Sequence, residues 1–222
     1  VTKIATGFGV RCINTPTGFK WMAQKMLKYE EQAQTRIQEE EGIGLDFDST
    51  ELFTRMDILS RYSTCTVLAA EESYGYLPLD LVRDKDGNAS SLAIAEAFAY
   101  MDSTGTNPLK FLDTIYQKYG YHQEKTENIY FEGAEGSATI SKLVESYRKN
   151  PLKKVESFKV SKNKDFSEEG FIDEDEELLP KQNFIQISLD NDFTIAIRPS
   201  GTEPKIKYYL FGCAEPRSTD LE

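Results

Sequence analysis

A loop near the carboxyl end of the chain has residue types that bind phosphate. It lies between two strand-like segments and reads Arg198-Pro199-Ser200-Gly201-Thr202-Glu203-Pro204-Lys205. A glycine flanked by Ser and Thr lets N–H and hydroxyl groups point to one place, and Arg198 supplies a planar guanidinium that matches phosphate oxygens in pairs. Lys205 adds positive charge. The loop therefore indicates a phosphate site, although an ordinary hairpin turn has a similar content of Gly, Pro and Ser.

A second loop, with the sequence EESYGY, has residue types that bind sugars. Its residues Glu71, Glu72 and Ser73 follow residues 65–70 (CTVLAA), which we expect to form a buried strand. Open α/β sheets bind ligands at the carboxyl ends of their strands. Two adjacent carboxylates there need hydrogen-bond donors, and sugar hydroxyls supply them. Acidic residues are also favourable at a helix N-terminus, so that alternative stays open.

A third loop follows another strand-like segment, residues 10–14 (VRCIN). Its sequence is Thr15-Pro16-Thr17-Gly18-Phe19-Lys20-Trp21. At the end of a strand, Lys20 would bring a positive charge into the same crevice as the sugar loop. We assign Trp21 to the core rather than to a surface on which a sugar stacks.

Composition excludes several classes of function. The 222 residues include 26 basic and 37 acidic side chains, a charge balance unfavourable for nucleic acid or an anionic membrane. The single histidine, His122, rules out a histidine-rich metal site, and we expect it on the surface. The three cysteines include no C-x-x-C pair, which argues against a disulfide framework. We therefore expect a cytoplasmic protein without a nucleic-acid or membrane partner.

The helices and strands that position these loops are predicted to follow two different patterns, one before and one after residue 121. Up to residue 121, helical patterns alternate with the short apolar strands 10–14 and 65–70, which predicts an α/β domain with a three-layer, parallel sheet. The predicted helices cover residues 1–9, 19–41, 49–62, 89–101 and 108–119. From His122 we predict an α+β domain, residues 122–222, with an antiparallel sheet.

The second domain is predicted to contain one helix and at least four strands. The helix covers residues 137–149, and the strands cover residues 127–131, 184–189, 193–198 and 206–211. Asp190-Asn191-Asp192 indicates a tight turn, so the strands on either side of it should form an antiparallel hairpin. Residues 165–179 carry eight acidic side chains and no basic one. We interpret them as a solvated loop, because the residue order of a calcium loop is missing.

Four segments together resemble one enzyme family. In chain order they are PTGFKW, EESYGY, RDKDG and RPSGTEPKIKYYLFG. They closely resemble the phosphoglucomutase branch of the α-D-phosphohexomutase superfamily, and the similarity runs over nearly the whole chain. Members of that family have four domains around a cleft, so the resemblance implies that residues 1–121 correspond to the third domain and residues 122–222 to the fourth.

The resemblance implies roles for the loop residues. The implied sugar-binding residues are Glu71, Glu72, Ser73 and Lys20. The implied phosphate-binding residues are Arg198, Ser200, Gly201 and Thr202, with Lys205 in support. In this family the EES sequence, in place of EMS, goes with glucose phosphates.

The chain also departs from the family pattern. The family's phosphorylated serine lies in a T-A-S-H-N-P loop and its magnesium in a D-x-D-x-D-R loop, and neither string occurs here. We therefore expect no catalytic residue and no metal site in this chain, which should be inactive alone. Both ends look cut, and residues 34–62 form an insertion to which we assign no role.

The resemblance implies the C-terminal part of a phosphoglucomutase. The complete enzyme would interconvert glucose 1-phosphate and glucose 6-phosphate through a phosphoserine and a bisphosphate. It would use Mg²⁺, with glucose 1,6-bisphosphate as an activator. The expected partners are a hexose phosphate and the N-terminal domains of the same protein. Alternatives are a phosphomannomutase, a phosphopentomutase or a non-catalytic sugar-phosphate-binding module.

Overall fold

The fold is taken from a computed structural model, which describes residues 1–71, 75–80, 82–133, 135–168, 170–201 and 203–215. The chain forms two compact units. One, here the sheet unit, comprises Val1–Asn14 and Leu109–Glu222; the other, here the helical unit, comprises Thr15–Pro108. This division differs from the predicted boundary at residue 121, because residues 1–14 and 109–121 group with the sheet by their contacts. The domain boundary itself stays a prediction.

The described residues contain six α-helices, one short 3-10 helix (Phe47–Ser49) and ten strands. The helices are α1 (Thr2–Gly7), α2 (Phe19–Glu41), α3 (Leu52–Tyr62), α4 (Gly87–Ser103), α5 (Pro108–Tyr119) and α6 (Gly136–Lys149). The strands are β1 (Ala69–Glu71), β2 (Gly75–Leu77), β3 (Tyr121–Tyr130), β4 (Lys154–Val155), β5 (Phe158–Asp165), β6 (Phe171–Ile172), β7 (Leu178–Leu179), β8 (Ile185–Leu189), β9 (Thr194–Pro199) and β10 (Lys205–Ala214). In that described part, no helix is both long and apolar enough to cross a membrane.

The helical unit packs α2 and α4 against the hairpin formed by β1 and β2. The buried face of α2 carries Phe19, Met26 and Ala33. These residues stand seven positions apart, which places them on one side of a helix. Phe19 and Met26 pack with Ala69 and Leu77 of the hairpin, so the apolar spacing that predicted α2 also fixes how the hairpin is held.

Two predicted strands of the first half are wrong. Residues 10–14 and 65–68 are not strands, and Val67 and Leu68 are 55% and 53% exposed. A strand is stable only when its backbone groups pair with a neighbouring strand, and β1 pairs only with β2 among the described residues. All described strand pairs are antiparallel, so the expected parallel pairing is also wrong. The α/β class with a C-terminal antiparallel sheet is confirmed.

The sheet unit contains a six-stranded antiparallel sheet in the order β3-β10-β9-β8-β5-β4. Helix α6 packs on β9 and β10. Alternate residues of β8, namely Ile185, Ile187 and Leu189, are buried, as expected for a strand with one face on the core. They pack with Ile140 and Val144 of α6. The predicted hairpin across Asp190-Asn191-Asp192 is confirmed, since β8 and β9 pair antiparallel.

The acidic segment, residues 165–179, is not the solvated loop that we predicted. Strands β6 and β7 pair within it, and Asp173 is buried. The Asp173 carboxylate accepts the N–H groups of Asp175 at 2.9 Å and Glu177 at 3.0 Å. Both donors bind the same oxygen, Asp173 Oδ1, and hold the turn between the two strands. Composition alone does not indicate this turn, because its hydrogen bonds join the Asp173 side chain to backbone N–H groups two and four residues further along.

Asp165 at the start of that segment is an anchor for the sheet unit. Burial alone would raise its pKa, but hydrogen bonds from the Ser167 N–H and hydroxyl and from Arg148 outweigh burial and lower the pKa. A carboxyl with a lowered folded-state pKa stabilises the fold above its unfolded pKa and loses that effect as the pH falls through the folded pKa.

Replacing Asp165 with Asn should therefore have a pH-dependent effect on stability. We expect the variant to lose about 1 to 2 kcal/mol of unfolding free energy at pH 7, and we expect this loss to shrink towards about pH 3 as the Asp165 carboxyl of the wild type becomes protonated. Urea unfolding at both pH values measures the difference. Asp192→Asn, in an exposed turn, is the control. A loss of the same size at pH 7 and at pH 3 would contradict the role given to the charge.

Candidate functional site

The predicted phosphate loop connects β9 to β10, two interior strands of the six-stranded sheet. Pro199 and Ile206 are paired in register, which fixes the two ends of the loop. The Ser200 N–H donates to the Lys205 carbonyl at 2.9 Å, and the Glu203 N–H donates to Ser200 Oγ at 3.3 Å. The loop is therefore a closed hairpin turn whose shape is set by its own hydrogen bonds. Thr202 lies outside the described residues.

The loop lines a cavity of about 370 Å³, a size typical of small-molecule sites. The lining residues are Ser137, Ile140 and Ser141 of α6, Gln182 and Asn183 before β8, and Arg198, Pro199, Ser200, Gly201 and Glu203. The structure thus brings together three of the predicted phosphate-binding residues, Arg198, Ser200 and Gly201. Most of the lining is polar, which suits a ligand with many oxygen atoms.

Arg198 is the positive charge in the lining of this cavity. It is half-buried on β9, where it is paired in register with Lys207. Within the described ranges, its side chain makes no hydrogen bond or ion pair with another residue. Its guanidinium donors are therefore available for an anion, and their planar arrangement favours two parallel bonds to one phosphate.

Lys205 is held beside the cavity rather than in its lining. Its Nζ lies 2.5 Å from Glu203 Oε2 and 3.4 Å from the Tyr130 hydroxyl, and its side chain is 13% exposed. The hydrogen bond to Glu203 raises the pKa of Lys205, with a smaller contribution from Tyr130. Lys205 therefore offsets the charge of the Glu203 carboxylate in the cavity lining.

Gly201 leaves open space in the cavity. A Cβ added there would have no atom within 4 Å, and its φ lies outside the left-handed region. Neither packing nor backbone conformation of the described residues therefore requires glycine at this position. A glycine with no structural role here is suited to the close approach of a ligand to the backbone.

Replacing Gly201 with Ala should separate binding from stability. We expect the unfolding free energy to change by less than about 0.5 kcal/mol and the affinity for a hexose phosphate to fall by about 10-fold, because the new methyl group occupies ligand space. Chemical unfolding and titration calorimetry measure the two quantities on the same sample. Unchanged affinity in a normally stable variant would mean that no ligand approaches this part of the loop.

Glu71 is the member of the predicted sugar loop that the structure describes; Glu72 and Ser73 lie outside the described residues. Glu71 ends β1, and its side chain is 10% exposed. Its Oε1 lies 3.2 Å from Lys85 Nζ. A Cβ at Gly75 would lie 2.7 Å from Glu71 Cγ, so the folded-back Glu71 side chain requires glycine at position 75.

Lys20 lies in the first turn of α2 and is exposed. Its Nζ lies 4.8 Å from the centre of the Trp21 ring. Trp21 is half-buried, and its assignment to the core stays a prediction. A ring next to an ammonium group gains a cation–π interaction, for which exposure of the ring is no obstacle.

The RDKDG segment braces the helical unit, a role that we did not predict. Arg83 pairs with Glu30 of α2, and Lys85 pairs with Glu71. Asp86 caps α4 by accepting N–H groups from Asn88 and Ala89 at 2.9 Å and 3.0 Å. An Asp just before an alanine-rich helix is a known N-cap signal, so this part of the role was visible in the sequence. The two ion pairs were not, because they join distant segments.

Burial raises the pKa of two carboxyl groups near this brace. The pKa of Glu30 is raised by burial, although the hydrogen bond and the charge of Arg83 oppose the shift. The pKa of Asp80 is also raised by burial, against the charges of Arg55 and Arg83. No cluster of three or more His, Cys, Asp or Glu side chains in the described ranges is placed to hold a metal ion.

His122 does not lie in a loop, as predicted from its polar surroundings, but in β3. It is exposed, and its Nε2 lies 3.2 Å from the Tyr119 carbonyl oxygen and 3.6 Å from Cys213 Sγ. Its surface position is confirmed.

Comparison with known proteins shows two kinds of similarity. No family model matches the chain. Phosphoglucomutases of Staphylococcus aureus strains USA300 and MRSA252 are each 36% identical to it over 149 residues, which is 65% of this chain and 27% of the relative. The chain spans about a quarter of the length of these relatives, in their C-terminal part.

A solved structure with a similar fold is the open form of pp63/parafusin, an exocytosis-sensitive phosphoprotein and phosphoglucomutase from Paramecium. The TM-score is 0.53 at 14% identity, and the match covers 99% of this chain and 32% of that one. At this identity the match shows the fold alone. Together with the curated relatives, it confirms the resemblance that the four motifs indicate. The chain is similar to the C-terminal half of the α-D-phosphohexomutases, in the phosphoglucomutase branch.

Proposed function

We propose that this chain is the part of a phosphoglucomutase that recognises the sugar and holds a phosphate group. The observation that carries the proposal is the cavity lined by Arg198, Ser200 and Gly201. The full-length protein would interconvert glucose 1-phosphate and glucose 6-phosphate through a phosphoserine and a bisphosphate. The phosphoserine and Mg²⁺ would belong to domains outside this chain, with glucose 1,6-bisphosphate as activator.

The geometry of the loop supports phosphate binding. The Arg198 guanidinium is unpaired among the described residues and lines the cavity together with the open backbone at Gly201. A phosphate monoester carries about −1.5 to −2 charges at pH 7. Each hydrogen bond from a charged donor contributes about 1.5 to 3 kcal/mol, which is enough for a local site to bind an anion on a chain with a net charge of −11.

The surroundings of Glu71 support sugar binding. A carboxylate at the end of a strand accepts hydrogen bonds from sugar hydroxyls. Lys85 Nζ lies 3.2 Å from Glu71 Oε1, and no other described residue forms a hydrogen bond or ion pair with this carboxylate. We propose glucose as the sugar on the basis of the EES sequence at residues 71–73.

Titration calorimetry of the 222-residue chain tests this function. We expect heat of binding with glucose 6-phosphate and glucose 1-phosphate, weaker binding of inorganic phosphate, and none with glucose. Mannose 6-phosphate and ribose 5-phosphate are the matched alternatives for the sugar. Tighter binding of mannose 6-phosphate would contradict the choice of glucose, and no binding of any phosphorylated ligand would contradict the function.

A further inference from the structure

The cavity beside the phosphate loop has a second wall formed by residues outside that loop. Ser137 and Ser141 lie on α6, and Gln182 and Asn183 precede β8. All four side chains are polar and uncharged. The Ser141 hydroxyl donates to the Ser137 carbonyl at 2.9 Å, and Gln182 Nε2 donates to the Pro180 carbonyl at 3.2 Å. Two of the four are therefore committed to the backbone.

Asn183 differs because a charged side chain fixes its orientation. Arg148 Nη2 donates to Asn183 Oδ1 at 2.6 Å. A guanidinium has donors only, so the amide oxygen of Asn183 must be the atom that faces Arg148. The amide NH₂ group, with two donors, is left on the opposite side of the amide. Since Asn183 lines the cavity, these donors are what it offers to a ligand.

A hydrogen bond with Asp165 holds the Arg148 side chain in place. Its Nε donates to Asp165 Oδ2 at 2.8 Å. Asp165 Oδ1 accepts the N–H and hydroxyl of Ser167 at 2.9 Å and 2.8 Å. The charges of Arg148 and Asp165 offset each other. The hydrogen-bonded chain that they form therefore presents the oriented amide of Asn183 to the cavity, and not an unpaired cation.

The charge balance of the cavity favours a further donor. Arg198 and Glu203 are the charged residues that line it, and Lys205 pairs with Glu203. A phosphate monoester carries about −1.5 to −2 charges at pH 7, more than one guanidinium offsets. Uncharged donors elsewhere in the lining would complete the hydrogen bonds of such an anion without adding a second exposed charge.

We propose that Asn183 is a further phosphate-binding residue of this site. Its amide NH₂ donates to the phosphate group that Arg198 and the loop hold. Arg148 and Asp165 are positioning residues, because they act through Asn183. This inference rests on the proposed function, since the ligand is the phosphate group of a hexose phosphate.

Titration calorimetry of the whole chain with glucose 6-phosphate and with inorganic phosphate tests the proposal. Asn183→Ala should weaken the binding of both ligands by about 10-fold. Asn183→Asp should weaken it further, because a carboxylate would face the anion. Asn128→Ala, at an exposed position of β3, is the matched control and should leave both affinities unchanged.

A double-mutant cycle tests the positioning role. Arg148→Lys keeps the positive charge near Asp165 but lacks the fork that also reaches Asn183. We expect Arg148→Lys alone to weaken binding about as much as Asn183→Ala, and the double variant to be no weaker than either. Losses that add up would show that Arg148 acts through general stability and not through Asn183.

The remaining outcomes separate this proposal from the function on which it rests. If Arg198→Ala abolishes binding while Asn183→Ala behaves like Asn128→Ala, the inference is wrong and the proposed function stands. If Asn183→Ala weakens glucose 6-phosphate but not inorganic phosphate, the amide binds the sugar and its assignment to phosphate is wrong. If the wild-type chain binds neither ligand, both proposals are wrong.

Discussion

Replacing Arg198 with alanine is expected to weaken the binding of glucose 6-phosphate by about 100-fold, or about 3 kcal/mol. In the proposed site the side chain would supply two parallel charge-assisted hydrogen bonds to one phosphate group, and within the described part of the chain no neighbouring cation in the cavity lining replaces it. The affinity of Arg198→Lys for glucose 6-phosphate should lie between those of the wild type and Arg198→Ala, because an ammonium keeps the charge but loses the planar pair of donors. Titration calorimetry with wild type and both variants measures the effect.

The control for this experiment is Arg61→Ala. Arg61 pairs with Asp57 one turn earlier on α3 and is exposed, so its removal changes the net charge equally without touching the cavity. An Arg198→Ala chain that binds glucose 6-phosphate as tightly as Arg61→Ala would remove the basis of the phosphate site.

Replacing Arg83 with alanine is expected to have the largest effect on stability, a loss of about 3 kcal/mol at pH 7. Glu30 is 4% exposed on its side chain, and Arg83 is its ion-pair partner. Its other oxygen, Oε1, has no hydrogen-bond partner among the described residues. Removing Arg83 leaves a buried carboxylate uncompensated. The expected loss of unfolding free energy lies at the low end of the range for breaking buried ion pairs, because Arg83 is 37% exposed.

The pH dependence of this variant has a definite sign. The folded-state pKa of Glu30 is already raised, and loss of Arg83 raises it further. Protonation of a carboxyl with a raised pKa favours the folded state, so the loss should shrink as the pH falls from 7 towards about 4.3, the usual pKa of Glu. Urea unfolding at several pH values measures it. In a Glu30→Gln background the Arg83→Ala change should cost little, and a full loss there would assign the effect to packing alone.

Much of the fold was predictable because it depends on local patterns. Phe19, Met26 and Ala33 mark one face of α2 by spacing alone, and Asp190-Asn191-Asp192 marks the turn between β8 and β9. Strands that depend on a distant partner were not predictable in this way. Val67 and Leu68 look like part of a buried strand, yet no described strand pairs with them, and both are exposed.

In the candidate site, too, residues close together in sequence were predictable, and residues that depend on distant contacts were not. The phosphate loop was visible because Arg198, Ser200 and Gly201 are close in sequence and their types suit one ligand. Asn183 was not, since its orientation depends on Arg148, 35 residues earlier in the chain. The partner of Arg83 is 53 residues away. Roles of this kind arise from tertiary contacts between segments that carry no recognisable motif by themselves.

Strand β10 pairs with β3 over ten residue pairs and with β9 over six. The loop that begins where β9 ends is therefore fastened to a strand with neighbours on both sides, and its two ends keep a constant separation. A ligand bound at this loop would meet a preorganised surface and would not have to order it, which would save conformational entropy on binding. In the same arrangement, side chains of the loop can be replaced without a change in the pairing of β9 and β10. Ligand specificity and folding can therefore evolve independently.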